Sequence, residues 1–291
     1  MPENPRVSVL VPAWNSAATL AETLKSVQAQ SMPAWECIIV DDGSTDGTPE
    51  IVRAAMRYDS RIQLFRQSRR GPAAARNIGI QNARSDYLLF LDSDDLIAQR
   101  KLELNLEEAQ QRPRTLVYSG CTYFRDRTKE NQPTVHHAES CNAETMLEKL
   151  ARENLMPVSA ALVPCSVARE INGFDPSLRS FEDWDFWLRC ARAGASFFYD
   201  GSPDTQTHIR LRDGSLSTDT RQMFNYELLV RMKHRDLPAM QREFMRLRHF
   251  HLKACVADLL KGNTTLAFRH ASYWLPMPLL ARRWEQHARN Q

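Results

Sequence analysis

Short apolar runs alternate with helix-like segments over the first third of this chain of 291 residues. Val7–Val11, Cys37–Val40 and Tyr87–Leu91 are apolar and end at Pro or Asp, which is typical of buried parallel strands. Apolar residues recur at helical spacing between them, as in Thr48–Tyr58 and Ala73–Ala83. Strands that alternate with helices of about 10–15 residues predict βαβ units and a mostly parallel sheet.

The rest of the chain adds elements of both kinds. We expect Asn15 and Ser16 to cap a helix that carries Leu20, Leu24 and Val27. Further strands are predicted at Ile62–Phe65, Leu116–Phe124 and Ser159–Val163, and further helices at Lys101–Gln111 and Asp183–Ala193. The polar segment Arg125–Ser140 predicts an exposed loop. Beyond Asp219 we predict only helices, followed by a Pro-broken apolar stretch: Met223–Lys233, Ala239–Lys261 and Thr265–Trp274, then Trp274–Leu280.

Three of the predicted strands end in residues that can bind polar ligands. In open α/β sheets, ligands bind outside the carboxyl ends of the strands. Here those ends are Pro12-Ala13-Trp14-Asn15, Asp41-Asp42-Gly43-Ser44 and Asp92-Ser93-Asp94-Asp95. The chain contains no GxGxxG and no GxxxxGK[ST], so neither a dinucleotide fingerprint nor a P-loop accounts for them.

The segment Asp92-Ser93-Asp94-Asp95, called the acidic loop below, holds three carboxylates within four residues. At about 4 Å, each pair of like charges costs ~1 kcal/mol in water and several times more near a protein surface. A divalent cation would turn this repulsion into attraction, and oxygen ligands suit Mg²⁺ or Mn²⁺. We therefore expect a metal site here; the alternative is a loop in which Asp caps a helix.

Other charged residues in these motifs have two interpretations each. Asp41 can accept a hydrogen bond from a base or a ribose, although Asp-Gly pairs also favour turns. Arg76 is a nucleotide contact or a solvated charge near the first turn of a helix. Glu182 and Asp183 lie beside aromatic residues, which can raise a carboxyl pKa and suit it to accept a proton. Alternatively, Glu182 is a surface charge and Asp183 a helix N-terminal residue favoured by the dipole.

Composition and charge exclude several classes of protein. The chain is 43% hydrophobic and 25% charged, as globular proteins are, so disorder is excluded. The six cysteines have no metal spacing, and we interpret them as reduced cytosolic thiols. We expect no secretory signal, since no basic-then-apolar start is visible, and no apolar stretch of about 20 residues. Residues 219–291 hold 13 Lys and Arg against 6 Asp and Glu, without a nucleic-acid-binding module.

Six motifs in order resemble those of the family 2 glycosyltransferases with a GT-A fold: VSVLVPAWN, IIVDDGSTDGT, GPAAARNIG, LLFLDSDD, GFDPSL and FEDWDFWLR. The resemblance covers about residues 5–218. It implies an α/β fold of the GT-A type, a Rossmann-like, mostly parallel sheet flanked by helices. It also implies an inverting transfer of a sugar from a nucleoside diphosphate, here a UDP-sugar, to an acceptor hydroxyl.

The resemblance assigns roles to residues at matching motif positions. Asp183 would be the catalytic base, with Glu182 beside it, and Asp94 and Asp92 would hold Mn²⁺ or Mg²⁺ at the diphosphate. The family often has His near the position of Arg212, so Arg210 or Arg212 would instead hold the diphosphate. Because hydrolysis competes with transfer, water must be excluded, and we expect the loop Ser202–Ser217 to act as a lid. The donor site would comprise Pro12, Ala13, Trp14, Asp41, Arg76, Asp92, Ser93 and Arg212.

The resemblance also suggests an organisation and a cellular setting. We expect a glycosyltransferase domain at 1–218, with a nucleotide-binding half at about 1–115 and an acceptor half at 116–218. Residues 219–291 would be a basic helical extension that packs on that domain, contacts an anionic membrane surface or forms a homodimer. The acceptor would be a saccharide or lipid-linked saccharide of the cell surface. We expect a cytoplasmic protein, peripheral on the inner face of the cytoplasmic membrane.

Two other functions remain open at this point. A nucleotidyltransferase that makes sugar nucleotides also uses acidic residues on an α/β sheet, but the chain lacks a Gly-rich basic activation loop near its start. A non-catalytic binder of nucleotide sugars is disfavoured because Asp94 and Asp183 are both present. The product separates the three functions: a free nucleoside diphosphate, pyrophosphate or none.

Overall fold

The computed structural model describes residues 4–125, 132–134, 138–212 and 220–261. The chain divides into two compact units. The first comprises Met1–Leu147 and Asn154–Arg212, and the second comprises Glu148–Glu153 and Asp213–Gln291.

The strands and helices of the described residues follow one another in a mixed α/β order. The strands are β1 Val7–Ala13, β2 Trp35–Asp41, β3 Ile62–Arg66, β4 Tyr87–Phe90, β5 Leu96–Ile97, β6 Thr115–Ser119, β7 Cys121–Phe124, β8 Gln132–Thr134, β9 Ala161–Pro164, β10 Ser196–Asp200 and β11 Thr207–Arg210. The α-helices are α1 Leu20–Gln28, α2 Thr48–Tyr58, α3 Pro72–Asn82, α4 Lys101–Gln110, α5 Ala143–Leu150, α6 Cys165–Glu170, α7 Glu182–Arg192, α8 Thr220–Lys233 and α9 Pro238–Leu260. Short 3₁₀ helices precede β9 and β11.

Seven strands form the main sheet of the first unit, in the order β10-β6-β9-β4-β1-β2-β3. Strands β4, β1, β2 and β3 are parallel neighbours, and β6 is parallel to β10. Strand β9 is antiparallel to both β4 and β6. The prediction of a mostly parallel sheet built from βαβ units is therefore confirmed.

The central strands are buried on both faces, which explains why their sequences are apolar without alternation. Val9, Val11 and Ile39 belong to a core that also contains Leu20 and Leu24 of α1. On the other face, Gly79 of α3 lies against Leu10, and an added Cβ at Gly79 would come within 3.2 Å of the Leu10 side chain. Helices thus cover the sheet on both sides.

A second sheet of four strands, in the order β5-β11-β7-β8, lies in the same unit. Strand β11 pairs in parallel with β7 and antiparallel with β5, the two-residue strand that directly follows the acidic loop. It therefore lies between β5 and β7 in this sheet. This pairing places Arg210, the last residue of β11, next to the acidic loop.

A buried lysine ties four segments of this unit together. Lys101 is fully buried, and its Nζ donates to Ser119 Oγ at 2.5 Å and to the carbonyl oxygens of Ala160 and Thr205, both at 3.0 Å. Burial lowers the pKa of Lys101 to about 8. An ammonium group has three hydrogens to donate, so these three acceptors satisfy its hydrogen-bonding capacity.

Several local predictions are wrong. Asn15 and Ser16 do not cap α1, which begins at Leu20; Asn15 has a left-handed backbone (φ 48°), and its side chain accepts from Thr45 N instead. The predicted strand Leu116–Phe124 is divided at Gly120 into β6 and β7, which belong to different sheets. Pairing with distant strands decides both outcomes, and local sequence carries no signal for it.

Other corrections concern segments predicted as loops. Residues 132–134 of the predicted loop Arg125–Ser140 form β8, paired antiparallel with β7. Residues 207–210 of the predicted lid form β11, which pairs with β7 along its length and with β5 at residues 207–208, whereas residues 213–217 lie outside the described part of the chain. Ser159, predicted within a strand, belongs to the 3₁₀ helix before β9.

The second unit is helical over its described residues. Helix α8 and helix α9 are joined by a short turn, and Arg231 of α8 forms an ion pair with Glu227 and donates to the carbonyl of Arg152. The predicted helices Met223–Lys233 and Ala239–Lys261 are confirmed as α8 and α9. The predicted helix Thr265–Trp274 and the stretch Trp274–Leu280 lie outside the described residues. No described helix is long and apolar enough to span a bilayer.

Candidate active site

The three polar strand ends meet at one edge of the main sheet, because β4, β1 and β2 are adjacent and parallel. Asn15 N donates to Ser44 Oγ at 2.9 Å, which joins the ends of β1 and β2. Ser16 Oγ lies 2.7 Å from Ser93 Oγ, which joins the end of β1 to the acidic loop. The structure therefore brings together the segments that the sequence predicted to form a ligand site.

The end of β1 offers an exposed aromatic ring. Trp14 is 42% exposed, and the guanidinium carbon of Arg69 lies 3.4 Å from the centre of its ring. Pro12 is half-buried, and Ala13 is buried. Of the three residues predicted here to contact the nucleoside, Pro12 and Trp14 therefore keep exposed surface.

The two carboxylates at the end of β2 contact protein groups. Asp41 is buried, and it accepts from Arg66 Nε at 2.7 Å and from Ser44 N at 3.0 Å. Each oxygen of its carboxylate therefore has a protein donor, and its predicted nucleoside contact stays a prediction. Asp42, which sequence reasoning gave no role, accepts from the backbone N–H groups of Arg70 and Gly71 and thereby shapes the loop before α3.

Arg76 joins the acidic loop to the first turn of α7. It is 3% exposed; its Nη2 donates to Asp92 Oδ1 at 2.6 Å, and its Nη1 donates to Glu182 Oε1 at 2.7 Å. Burial acts to lower the pKa of Arg76, but the two carboxylates outweigh it and raise that pKa. Arg76 is therefore a buried cation between two predicted site residues rather than a solvated surface charge, and its donor contact stays a prediction.

The side chains of the acidic loop have different surroundings. Asp92 and Asp94 keep exposed surface, with side chains 40% and 17% exposed. Asp95 is buried, and it accepts from Ser159 Oγ at 2.9 Å and from Arg210 N at 3.0 Å. Ser159 Oγ in turn accepts from Asp92 N at 3.2 Å. Asp95 thus fixes the loop from behind, while Asp92 and Asp94 are the carboxylates available to a ligand.

Burial and like charge act together on this loop. Burial, followed by the charge of Asp92, raises the pKa of Asp94, whereas Arg212 lowers it. Burial, followed by the charges of Asp92 and Asp94, raises the pKa of Asp95 well above its usual value. The predicted repulsion is therefore present in the folded protein.

The two downstream arginines differ in their freedom to move. The side chain of Arg210 is 2% exposed; its Nε donates to the carbonyl of Asp94 at 2.9 Å, and its Nη2 pairs with Glu22. The side chain of Arg212 is 41% exposed and pairs with Asp94, with Nη2 2.5 Å from Oδ2. Arg210 is thus a fixed part of the loop, so of the two arginines it is Arg212 that can reach a bound ligand.

Arginine side chains already balance part of the negative charge of the acidic loop, the charge from which the sequence predicted a metal ion. Counted at their formal charges, the groups paired around the acidic loop comprise five carboxylates and three guanidinium groups and sum to two negative charges: Glu22, Asp92, Asp94, Asp95 and Glu182, with Arg76, Arg210 and Arg212. One divalent cation carries the charge that would balance them. The repulsion in the acidic loop therefore does not by itself require a metal, although the site has charge to receive one.

The donor set fits a metal ion that takes few ligands from the protein. Within the described residues, no group of three or more His, Cys, Asp or Glu side chains could hold a metal ion. Asp92 and Asp94 are two carboxylates with exposed surface, and Mg²⁺ commonly binds through one or two carboxylates and completes its shell with water and phosphates. The pair suits Mg²⁺ or Mn²⁺ that arrives with a phosphate ligand.

Asp183 has the surroundings of a proton acceptor. Asp183 is the second residue of α7. Its Oδ1 accepts hydrogen bonds from Asn154 Nδ2 at 3.2 Å and from Trp184 N at 2.7 Å. Burial, followed by the neighbouring charge of Glu182, raises the pKa of Asp183 to about 7. A carboxylate with this pKa can accept a proton near neutral pH. The preceding Phe181 has a left-handed backbone (φ 59°), a strained conformation of the kind found at functional sites.

The position of α7 depends on the GFD segment before it. Asn77 of α3 exchanges two hydrogen bonds of 2.8 Å with the backbone of Phe174. The ring of Phe174 stacks on Phe186 of α7 at 4.2 Å, and both rings contact Phe90 of β4 edge-on. This aromatic packing sets α7 against the strand that ends in the acidic loop.

Sequence reasoning missed several residues that shape the site. Asn154 bonds to Asp183, and Ser159 bonds to Asp92 and Asp95. Neither lies in a motif, and both come from segments that reach the site only through the fold. Five cysteines of the described part are buried and form no disulfide, and burial raises the pKa of Cys37 and Cys190 far from the range of a reactive thiolate.

Comparison with known proteins identifies relatives of the chain. The model of glycosyl transferase family 2 matches residues 8–170. The chain is 30% identical over 216 residues to the putative teichuronic acid biosynthesis glycosyltransferase TuaG of Bacillus subtilis (strain 168), a match that covers 74% of this chain and 82% of TuaG. It is 32% identical over 187 residues to the uncharacterized glycosyltransferase RC0461 of Rickettsia conorii (strain ATCC VR-613 / Malish 7), which covers 64% of this chain. The chain spans 30% of the length of RC0461.

Solved structures with the same fold include TarS of S. aureus. A crystal structure of TarS residues 1–349 in complex with UDP-GlcNAc has a TM-score of 0.68 at 19% identity, covering 94% of this chain and 81% of TarS 1–349. The complex with UDP has a TM-score of 0.65 at 17% identity, covering 97% of this chain and 92% of the other. These likenesses confirm the predicted GT-A type of α/β fold.

Proposed function

Because the chain belongs to glycosyl transferase family 2, we propose that it is an inverting glycosyltransferase that moves a sugar from a UDP-sugar to an acceptor hydroxyl. The observation that carries this proposal is Asp183, a carboxylate with a pKa of about 7 on a helix joined through Glu182 and Arg76 to Asp92. A proton acceptor and a corner that can hold a divalent cation at the diphosphate are the two parts that we assign to such a transfer.

The donor side of the site is assigned to the strand ends. Trp14 and Pro12 provide the surface for the nucleoside, with Ala13, Asp41 and Ser93 supporting its walls. UDP is the proposed nucleotide because TarS, which shares the fold, has been crystallised with UDP and with UDP-GlcNAc. Arg76 holds Asp92 in place, and Arg212 is the exposed cation that can reach the diphosphate.

Asp92 and Asp94 would hold a divalent cation, Mn²⁺ or Mg²⁺, at the diphosphate. When bound, such an ion supplies Lewis-acid stabilisation of the charge that develops on the leaving group. Asp95, Ser159 and Arg210 keep the acidic loop in one conformation, so that both carboxylates are positioned before the donor binds. Preorganised groups of this kind need little rearrangement during the reaction.

Asp183 accepts the proton of the acceptor hydroxyl as that oxygen attacks the anomeric carbon. Direct displacement assisted by a single carboxylate base inverts the configuration, by the geometry that applies to inverting glycosidases. Asn154 and the backbone N–H of Trp184 both bind Oδ1 of Asp183. This arrangement orients the carboxylate and leaves Oδ2 as the atom to receive the proton.

The acceptor is proposed by class only. TuaG, a relative with 30% identity, bears a name that places it in teichuronic acid biosynthesis. We therefore assign this chain an acceptor among saccharides or lipid-linked saccharides of the cell surface. Residues 1–218 would be the glycosyltransferase domain and residues 219–291 its helical extension.

The extension would contact an anionic membrane surface. Helix α9 exposes apolar side chains at spacings of seven, four and four residues, together with basic ones: Met245, Leu252, Val256 and Leu260, with Arg242, Arg246 and Lys253. Basic side chains are attracted to an anionic leaflet, and exposed apolar side chains beside them can enter its headgroup region. Co-sedimentation with vesicles containing an anionic lipid should fall as salt rises; a homodimer in solution that does not sediment with vesicles would replace this proposal.

The transfer is tested by product analysis. The full chain is incubated with Mn²⁺, a panel of UDP-sugars and an extract of lipid-linked saccharides, and the nucleotide products are separated by chromatography. We expect free UDP with one donor, lost in Asp183→Asn and kept in Asp86→Asn. Asp86 is a matched control because it is an exposed carboxylate at the opposite end of β4. Pyrophosphate as product, or equal turnover by Asp183→Asn, would overturn the proposal.

A further inference from the structure

The ion pair between Arg212 and Asp94 occupies a carboxylate that the proposed function assigns to a metal ion. Arg212 Nη2 lies 2.5 Å from Asp94 Oδ2, and the Asp94 side chain is only 17% exposed. A guanidinium group binds carboxylate oxygens through the same lone pairs that a hard cation uses. The two cations therefore compete for Asp94 in space and in charge.

Arg212 is free to leave Asp94, unlike its neighbour in the chain. Arg210 is the last residue of β11, and its buried side chain lies over the ring of Phe124 at 4.6 Å. Arg212 lies two residues beyond the strand, and 41% of its side chain is exposed. Among the described residues, movement of the Arg212 side chain thus breaks one partly exposed ion pair and no strand pairing.

The charges around the acidic loop determine what happens when a divalent cation replaces Arg212 at Asp94. With Arg212 in place, the five carboxylates and three guanidinium groups named above leave two negative charges. If a divalent cation enters while Arg212 stays in place, the positive guanidinium group still contacts Asp94, the carboxylate that would bind the cation, and the two positive charges repel each other. A cation that arrives with a diphosphate brings phosphate oxygens to which a displaced guanidinium can bind.

We propose, on the basis of the proposed function, that Arg212 is a tethered cation that competes with the divalent ion for Asp94 and transfers to the diphosphate when metal and nucleotide bind together. The metal alone then binds weakly, and the nucleotide strengthens its binding because it provides a new partner for Arg212. By linkage, the metal strengthens nucleotide binding by the same factor.

The competition is measured with Mn²⁺ alone, by the loss of the free-ion electron paramagnetic resonance signal on titration of the full chain. Replacement of Arg212 by Gln should tighten Mn²⁺ binding about two- to fivefold, the range expected when one partly exposed ion pair is removed. The Mn²⁺ affinity of Arg212→Lys should lie between those of the wild type and Arg212→Gln. Arg53→Gln is the matched control, since Arg53 is a similarly exposed arginine paired with Glu50 on α2.

The second measurement is the affinity for UDP with and without Mn²⁺. The factor by which Mn²⁺ strengthens UDP binding should be smaller in Arg212→Gln than in the wild type. Unchanged or weaker Mn²⁺ binding by Arg212→Gln, or an undiminished factor, overturns the proposed competition. Wild-type sugar transfer together with either of those results would contradict this inference and leave the proposed function standing, whereas absence of transfer by the wild type would contradict the function itself.

Discussion

Glu182 forms an ion pair of 2.7 Å with the buried Arg76, and both charges act on the adjacent Asp183. Burial and Glu182 raise the pKa of Asp183, whereas Asn154, the Trp184 N–H and Arg76 lower it, with a resulting pKa of about 7. Two neighbouring carboxylates thus have different surroundings: Glu182 is paired with an arginine, and Asp183 has the raised pKa that its proposed role as general base requires.

The first prediction concerns the pH dependence of transfer. Asp183 must be ionised to accept a proton, so kcat/KM should rise with pH, with unit slope, up to about pH 7 and level off above it. The measurement is kcat/KM for the active donor from pH 5 to 9. A limb with its midpoint near pH 4, the usual range of an aspartate, would contradict the assignment.

The second prediction separates the two charges beside Asp183. Glu182→Gln removes a negative charge and should move the midpoint to lower pH, whereas Arg76→Gln removes a positive charge and should move it to higher pH. Arg76→Lys should restore a midpoint near that of the wild type. Glu107→Gln, an exposed carboxylate on α4, serves as the control. Shifts in the same direction for both variants would refute this electrostatic account.

The third prediction concerns the anchor of the GFD segment. Gly173 has φ +67°, and an added Cβ would lie 2.3 Å from Asn77 Oδ1. Gly194 has a similar φ of +81° but open space around it. Gly194→Ala should cost about 1 kcal/mol of unfolding free energy from backbone strain alone. Gly173→Ala should cost on the order of 1–3 kcal/mol more, because a clash is added. Equal losses in urea unfolding would show that the Asn77 contact adjusts.

The fourth prediction concerns the buried amine of Lys101. Lys101→Met leaves Ser119 Oγ and the carbonyl of Ala160 without the amine that donates to them, whereas the carbonyl of Thr205 still accepts from Ser119 Oγ at 2.6 Å. Buried acceptors that lose a partner cost about 1–3 kcal/mol each at most, so we expect a loss of about 2–4 kcal/mol in unfolding free energy. Lys25→Met, on the exposed face of α1, should change stability by less than about 0.5 kcal/mol. A thermal or urea titration of both variants decides the matter.

Local sequence was sufficient where each element carries its own signals. Helix α2 has the predicted bounds Thr48–Tyr58, with Pro49 in its first turn and an apolar face that reaches Val52. The central strands were equally clear, because burial on both faces leaves continuous apolar runs. The convergence of three strand ends followed from the parallel order alone, since neighbouring parallel strands end at the same edge of a sheet.

The contacts that define each side chain's role could not be predicted in the same way. Arg210 and Arg212 are two residues apart in the same polar segment. The Arg210 side chain is buried and donates to the backbone carbonyl of Asp94, whereas the Arg212 side chain is partly exposed and pairs with the Asp94 carboxylate. The difference depends on the pairing of β11 with β5 and β7, whose residues are distant in the chain. Likewise, nothing local to Asn154 indicates its bond to Asp183.

The proposed mechanism has a division of labour, in which Asp94 would bind the donor's metal and Asp183 would accept a proton. Titration calorimetry of UDP into the full chain, with and without Mn²⁺, tests this division most directly. We expect Mn²⁺ to strengthen UDP binding in the wild type and in Asp183→Asn, and to have little effect in Asp94→Asn. Equal Mn²⁺-dependent binding in Asp94→Asn, or its loss in Asp183→Asn, would contradict the account.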